Sequence, residues 1–196
     1  MKNKLSNREK LIRASDNLFR VRGMNSVTIK EITVEAGVSV GVFYNYFDSK
    51  EAVFKELVHH FFDYSRERMT ELKINITGNN IKSEIKFKEF LLDGIEKNLE
   101  NRYLISDINI LSEKDLEFKG DLSQHFNSIV GQIADILMAV NSHYDSEPII
   151  DATIIMNMIQ NCHPSTDIID DENCKAEYVD KLVNIIYDLV FSGFRK

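Results

Sequence analysis

Along most of this chain apolar residues return every three or four positions, the spacing of one helix face, and no alternating run makes a convincing strand. The first stretch predicts a helix over about residues 7 to 22, with Leu11, Ala14, Leu18 and Val21 on one face and Gly23 ending it. A shorter helix follows from Thr28, carrying Ile29, Ile32 and Ala36. Gly37 then supplies a left-handed stop, and Ser39 restarts the chain as an N-cap. Val38 and Phe43 fall at the two positions of a hydrophobic staple across that cap, as Val27 and Ile32 do across Thr28. Ser6–Glu9, Thr28–Glu31 and Asp48–Glu51 read as capping boxes that open helices. From Glu51, Val53, Leu57, Val58, Phe61 and Phe62 keep helical spacing until Gly78-Asn79-Asn80 interrupts it. Further helices are expected at about 81–100, 102–111, 115–141, 147–162 and 173–193, with HPSTDIIDDEN, residues 163–173, as a polar connection.

Two short helices broken by a glycine read as a helix-turn-helix. Phe43 and Phe47 share one face and can anchor the second of them. Gly41, Val42, Tyr44 and Asn45 point away, giving a small, flat, hydrogen-bonding surface suited to a DNA major groove. The expected fold class is therefore all-α: a three-helix DNA-binding head, residues 1–50, followed by a six-helix body, residues 51–196.

A net charge of −7 would ordinarily argue against a nucleic-acid partner. Its distribution reverses that argument, because residues 1–50 hold nine Lys/Arg against five acids, a balance of +4, and the rest carries −11. A basic head for a polyanion and an acidic body apart from it are implied. The 43% hydrophobic content suits a folded chain, and only two prolines and no tryptophan suit long helices. Cys162 and Cys174 have no disulfide-framework spacing, the basic N-terminus leads into no apolar signal region, and no apolar run approaches a membrane span. A cytoplasmic protein without a membrane partner is the expectation.

The last two predicted helices are apolar almost all round. Such a helix is either fully interior or covered by another subunit. Cover by a second copy is expected here, through Ile155, Ile159, Leu182, Ile185, Ile186 and Leu189.

The string GVSVGVFYNYFDSKEAVFKEL, residues 37–57, resembles the tetracycline-repressor-like (TetR) family of bacterial transcription regulators. The shared features are Gly37, the small Gly41, the Phe43-Tyr44 pair, Phe47, and Lys50 followed by an acid. By motif the resemblance covers residues 7–57. It implies a DNA-binding head on a body that binds an inducer and dimerises through its last two helices, acting on a near-palindromic double-stranded operator, most often as a repressor. Carried over by position, the implied DNA contacts are Thr28, Lys30, Ser39, Val40, Gly41, Tyr44, Tyr46 and Lys50. Val42 could read a thymine methyl and Asn45 an adenine edge. Val42 stands where many relatives have Thr, and Tyr46 where many have His, which alters the expected operator. The implied inducer is a mostly apolar small molecule, with Phe87, Phe90, Tyr103, Phe126, Met138, Met156 and Gln160 as candidate lining residues.

Nothing in the chain points to catalysis. Cys162-His163 with Cys174 matches no trusted zinc spacing, and His59-His60 diverge by about a hundred degrees on a helix. Phosphate loops, nucleophile elbows and H-E-x-x-H are missing, and Asp170-Asp171-Glu172 reads as solvated charge. No enzyme activity, metal or cofactor is expected. The competing reading is a helical small-molecule carrier or partner-binding module with a vestigial head.

Overall fold

The computed structural model describes residues 5–76, 80–140, 147–162 and 170–191. Among them are nine α-helices and no strand. They are α1 (Asn7–Arg22), α2 (Ile29–Ala36), α3 (Val40–Tyr44), α4 (Lys50–Asn75), α5 (Ile81–Glu100), α6 (Arg102–Lys114), α7 (Leu116–Val140), α8 (Pro148–Gln160) and α9 (Glu172–Phe191), with a 3-10 turn at Met24–Ser26. The Gly78-Asn79 break, His163 and the first part of the 163–173 connection lie outside the described residues.

Local chemistry fixes the helix starts. Ser6 and Thr28 both close full capping boxes, with Glu9 and Glu31 reaching back to the cap amides. The third expected box does not form: the Ser49 hydroxyl accepts the Ala52 N–H at 3.2 Å, so the cap of α4 falls one residue later than Asp48. Ser49 suffices because a hydroxyl at the N-cap reaches the N3 amide as well as a carboxylate does.

The chain divides into two compact units, one built from residues 1–64 and 101–122, the other from 65–100 and 123–196. In the first, Leu11, Ala14 and Phe19 of α1 are buried together with Val27, Ile32, Phe43 and Phe47, and with Val53 and Phe54 of α4. Phe19 and Phe54 meet edge-to-face at 6.0 Å between ring centres. α6 belongs to this unit and buries Leu104, Ile108 and Leu111. Val21 is exposed, contrary to the sequence pattern. The buried stripe of α1, formed by Leu11, Ala14, Ser15 and Phe19, is centred roughly a quarter turn away from Val21.

The second unit packs α5 against α8 and α9. Phe87 meets Phe191 edge-to-face at 5.5 Å, and Phe191 stacks on Tyr187 at 4.9 Å. Lys88 sits 4.1 Å from the Tyr187 ring centre and donates to the Asn184 Oδ1 at 3.1 Å. The buried Asn98 donates to the Ile159 carbonyl at 2.6 Å, satisfying a group that the end of α8 leaves without an intrahelical partner. Ile155 and Ile186, expected at a subunit interface, are instead 1% and 0% exposed and fill this unit's own core. The large apolar residues exposed on these helices are Ile149, Ile150, Ile154 and Ile185, so the helices are apolar all round while only one side is covered among the described residues.

Candidate nucleic-acid interface

The α2–α3 turn is set by main-chain geometry. Gly37 is left-handed, with φ 66° and ψ 38°. Its N–H reaches the Val34 carbonyl at 3.1 Å, and the Val38 N–H reaches the Thr33 carbonyl at 3.0 Å. Those two bonds form a Schellman motif, which stops α2 and turns the chain sharply. Ser39 then caps α3, its hydroxyl accepting the Val42 N–H at 3.3 Å.

α3 is anchored by its aromatic side and bare on the other. Phe43 is completely buried and Phe47 nearly so, their rings 5.8 Å apart. The Arg8 guanidinium covers the Phe47 ring at 5.3 Å and pairs with Glu56 at 2.5 Å. Ser39, Val40, Gly41, Tyr44, Asn45 and Tyr46 are all exposed, Tyr44 by 54% and Tyr46 by 45%, while Val42 is half-buried. A Cβ on Gly41 would come no nearer than 3.9 Å to its closest neighbour, the Ser39 hydroxyl. The absence of a side chain at Gly41 is therefore not required by packing. It leaves the backbone open to a close approach from outside.

At the start of α2, Thr28 and Lys30 are exposed. The Thr28 hydroxyl accepts the Glu31 N–H at 3.3 Å and donates to the Glu31 carboxylate at 2.8 Å, so its proton is committed within the cap. Hydrogen bonds from the Thr28 amide, then from its hydroxyl, then from Arg22, lower the Glu31 carboxyl from its ordinary 4.5 to about 2. Main-chain amides of α2 and the Lys30 ammonium, not the Thr28 hydroxyl, are what this end offers to a phosphate.

Lys50 departs from expectation. Its ammonium donates to the Met24 carbonyl at 2.9 Å and the Val27 carbonyl at 3.0 Å, with the Asn25 carbonyl at 3.5 Å. Three acceptors occupy its three protons, so it holds the protein's own backbone rather than projecting as a cation for phosphate. The same turn receives Asp107 from α6. Sequence reasoning misses that residue, because the 83 positions separating it from Met24 carry no local signal.

The expected inducer-lining residues do not all come together. Phe87, Phe90, Phe126, Met138, Met156 and Gln160 belong to the second unit, whereas Tyr103 belongs to the first and lies beside Gly23. Phe87 is buried against Phe191; Phe90, Phe126, Met156 and Gln160 are half-buried; Met138 is exposed. The Gln132 side-chain oxygen, also in the second unit, is buried and has no hydrogen-bond partner among the described residues. No three His, Cys, Asp or Glu side chains gather as a metal site among those residues, and no helix there is long and apolar enough to cross a membrane.

A capped, aromatically anchored second helix with its outer side bare, set at a Schellman turn in a basic segment, defines a helix-turn-helix DNA-binding regulator. The sequence model of the bacterial regulatory proteins of the tetR family matches residues 11–57. Over 189 residues the chain is 30% identical to the uncharacterized HTH-type transcriptional regulator YdgC of Bacillus subtilis, covering 93% of this chain and 94% of that one. It is 32% identical over 59 residues to the HTH-type transcriptional repressor KstR2 of Mycolicibacterium smegmatis, covering 30% of this chain and 29% of the relative. Among solved structures, a TetR transcriptional regulator from Legionella pneumophila matches with a TM-score of 0.75 at 13% identity, covering 97% of this chain and all of that one. Salmonella enterica GusR matches with a TM-score of 0.66 at 16% identity, covering 96% and 99%. The chain belongs to the tetR family of bacterial regulatory proteins, which are DNA-binding transcriptional regulators and not enzymes.

Proposed function

We propose that this protein is a cytoplasmic, homodimeric, ligand-responsive repressor that binds a near-palindromic operator. The observation that carries the reading is α3, with Phe43 fully buried and Gly41, Tyr44 and Asn45 turned outward beside it. In this reading Val40 and Val42 meet thymine methyls, Asn45 an adenine edge, and Tyr44 and Tyr46 the sugar-phosphate backbone, while Ser39, Lys30 and the α2 amides position the head. Two heads reach successive major grooves about 34–36 Å apart, which requires a symmetric pair of chains.

The exposed Ile149, Ile150, Ile154 and Ile185 support a second copy as the cover of α8 and α9, with Ile159, Leu182 and Leu189 half-buried beside them. Half-buried aromatic and Met side chains in the second unit, with the unpaired Gln132 oxygen, support a mostly apolar ligand with one polar handle. Ligand that favours one separation of the heads over another changes operator affinity by its difference in affinity for the two states. Repression follows the printed name of KstR2.

The test is selection of duplexes from a random pool by the purified protein, followed by titration at several salt concentrations. A palindromic site bound by a dimer, with affinity falling as salt rises, is expected. A dimer that selects no sequence would favour a small-molecule carrier with a vestigial head.

A further inference from the structure

The turn between α1 and α2 is gripped from two sides by opposite charges. From α6, Asp107 Oδ2 accepts the Met24 N–H at 2.5 Å, and Oδ1 accepts the Asn25 side-chain amide at 2.9 Å. From the first residue of α4, the Lys50 ammonium donates to the Met24 and Val27 carbonyls. Met24 is thus held at both its amide and its carbonyl. The carboxylate lies where the 3-10 turn presents N–H groups and the ammonium where it presents carbonyls, so each charge meets the favourable end of the turn.

This turn aims the DNA-reading helices. Val27 immediately precedes the Thr28 cap and is buried, as is Ile32, its staple partner, so the turn's placement fixes where α2 begins and the direction in which it leaves. α3 follows from α2 through the Gly37 turn. Gly23 completes the arrangement: it has φ +75°, and a Cβ there would lie 3.1 Å from Asp107 Oδ2. Only glycine combines that backbone with so close a carboxylate.

Burial of Leu104, Ile108 and Leu111 already holds α6 in the first unit. Asp107 is 5% exposed, and a buried carboxylate gives back in desolvation much of what its hydrogen bonds contribute. Its distinctive effect is to select one position of the turn. We infer that Asp107 is a positioning residue for operator recognition: it touches no DNA and acts by fixing the Met24–Val27 turn that orients α2 and α3. This rests on the DNA-reading role of α3 proposed above.

The experiment compares the full-length wild type with Asp107→Ala, Asp107→Asn, Asn25→Ala and Leu104→Ala, each kept at a temperature where circular dichroism finds it folded. The probes are the duplex selected by the wild type and a scrambled duplex. Asp107→Ala is expected to lose tenfold or more in affinity for the selected duplex while binding the scrambled one as before. Asp107→Asn, whose amide oxygen still accepts the Met24 N–H, is expected to recover most of that loss. Asn25→Ala, an exposed change that leaves the core intact, is expected to lose about threefold and to serve if Asp107→Ala does not fold. Leu104→Ala is expected to melt earlier yet stay within about twofold of wild-type affinity. Affinity that merely follows melting temperature across the set overturns the proposal, as does wild-type discrimination in both Asp107→Ala and Asn25→Ala. A wild type that selects no duplex defeats the DNA-reading role of α3 itself, and the positioning role with it.

Discussion

Phe43 and Tyr44 are sequence neighbours whose rings meet edge-to-face at 5.5 Å, one wholly buried and the other more than half exposed. That division predicts opposite phenotypes. Phe43→Ala empties a core position and is expected to cost about 3–5 kcal/mol of stability. Tyr44→Ala is expected to leave the melting temperature almost unchanged and to weaken operator binding tenfold or more. Thermal melts and fluorescence anisotropy on the same preparations separate the two. Equal destabilisation by both would place Tyr44 in the core.

Lys30 and Lys50 are separated in the same way. Lys50→Met removes the ammonium that the Met24 and Val27 carbonyls share, and is expected to lower stability by about 1–3 kcal/mol without changing the salt slope of DNA binding. Lys30→Met should leave stability alone and flatten the slope of log affinity against log salt by about 0.9 for each phosphate that is no longer neutralised. Salt titrations of both variants check this.

Glu31 gives the head an acid limb. Its carboxyl is lowered from 4.5 to about 2, so the stabilisation it brings is full above its unfolded value and disappears as pH falls through about 2. Gln at this position keeps an acceptor for the Thr28 amide but does not titrate. The melting-temperature gap between wild type and Glu31→Gln is expected to be constant above about pH 5 and to shrink below it. A gap that does not change between pH 6 and 3 would contradict the assignment.

The covering of α8 and α9 is tested by paired substitutions. Ile185→Glu places charge on a residue that is 51% exposed in the single chain, and is expected to yield folded monomers that no longer bind operator. Ile186→Glu places it in the core and is expected to abolish folding. Sedimentation and circular dichroism read both outcomes. An Ile185→Glu protein that still sediments as a dimer removes this residue from the interface.

Much of the fold is legible in the sequence because its signals are local. The Ser6 and Thr28 caps, the Gly37 stop and the Phe43 anchor each depend on residues within about a turn of one another, and each forms as the pattern predicts. Ser49 displaces Asp48 because two neighbouring cap formers can each open the same helix one residue apart and sequence does not rank them. Sequence reasoning misses Asp107 and assigns Lys50 to phosphate, because both act across folds of the chain that bring residues 83 and 26 positions apart together. It puts Ile155 and Ile186 at an interface because periodicity cannot tell the covered side of an all-round apolar helix from the bare one.

At Gly37 no atom beyond its two chain neighbours lies within 4 Å of where a side chain would begin. The demand for glycine there is torsional, not volumetric. Replacements should therefore rank by tolerance of the left-handed region, with Asn melting above Ala and Ala above Val, and bulk alone should count for little. The bend between the two short helices is accordingly open to enlargement outward but not to a change of backbone hand.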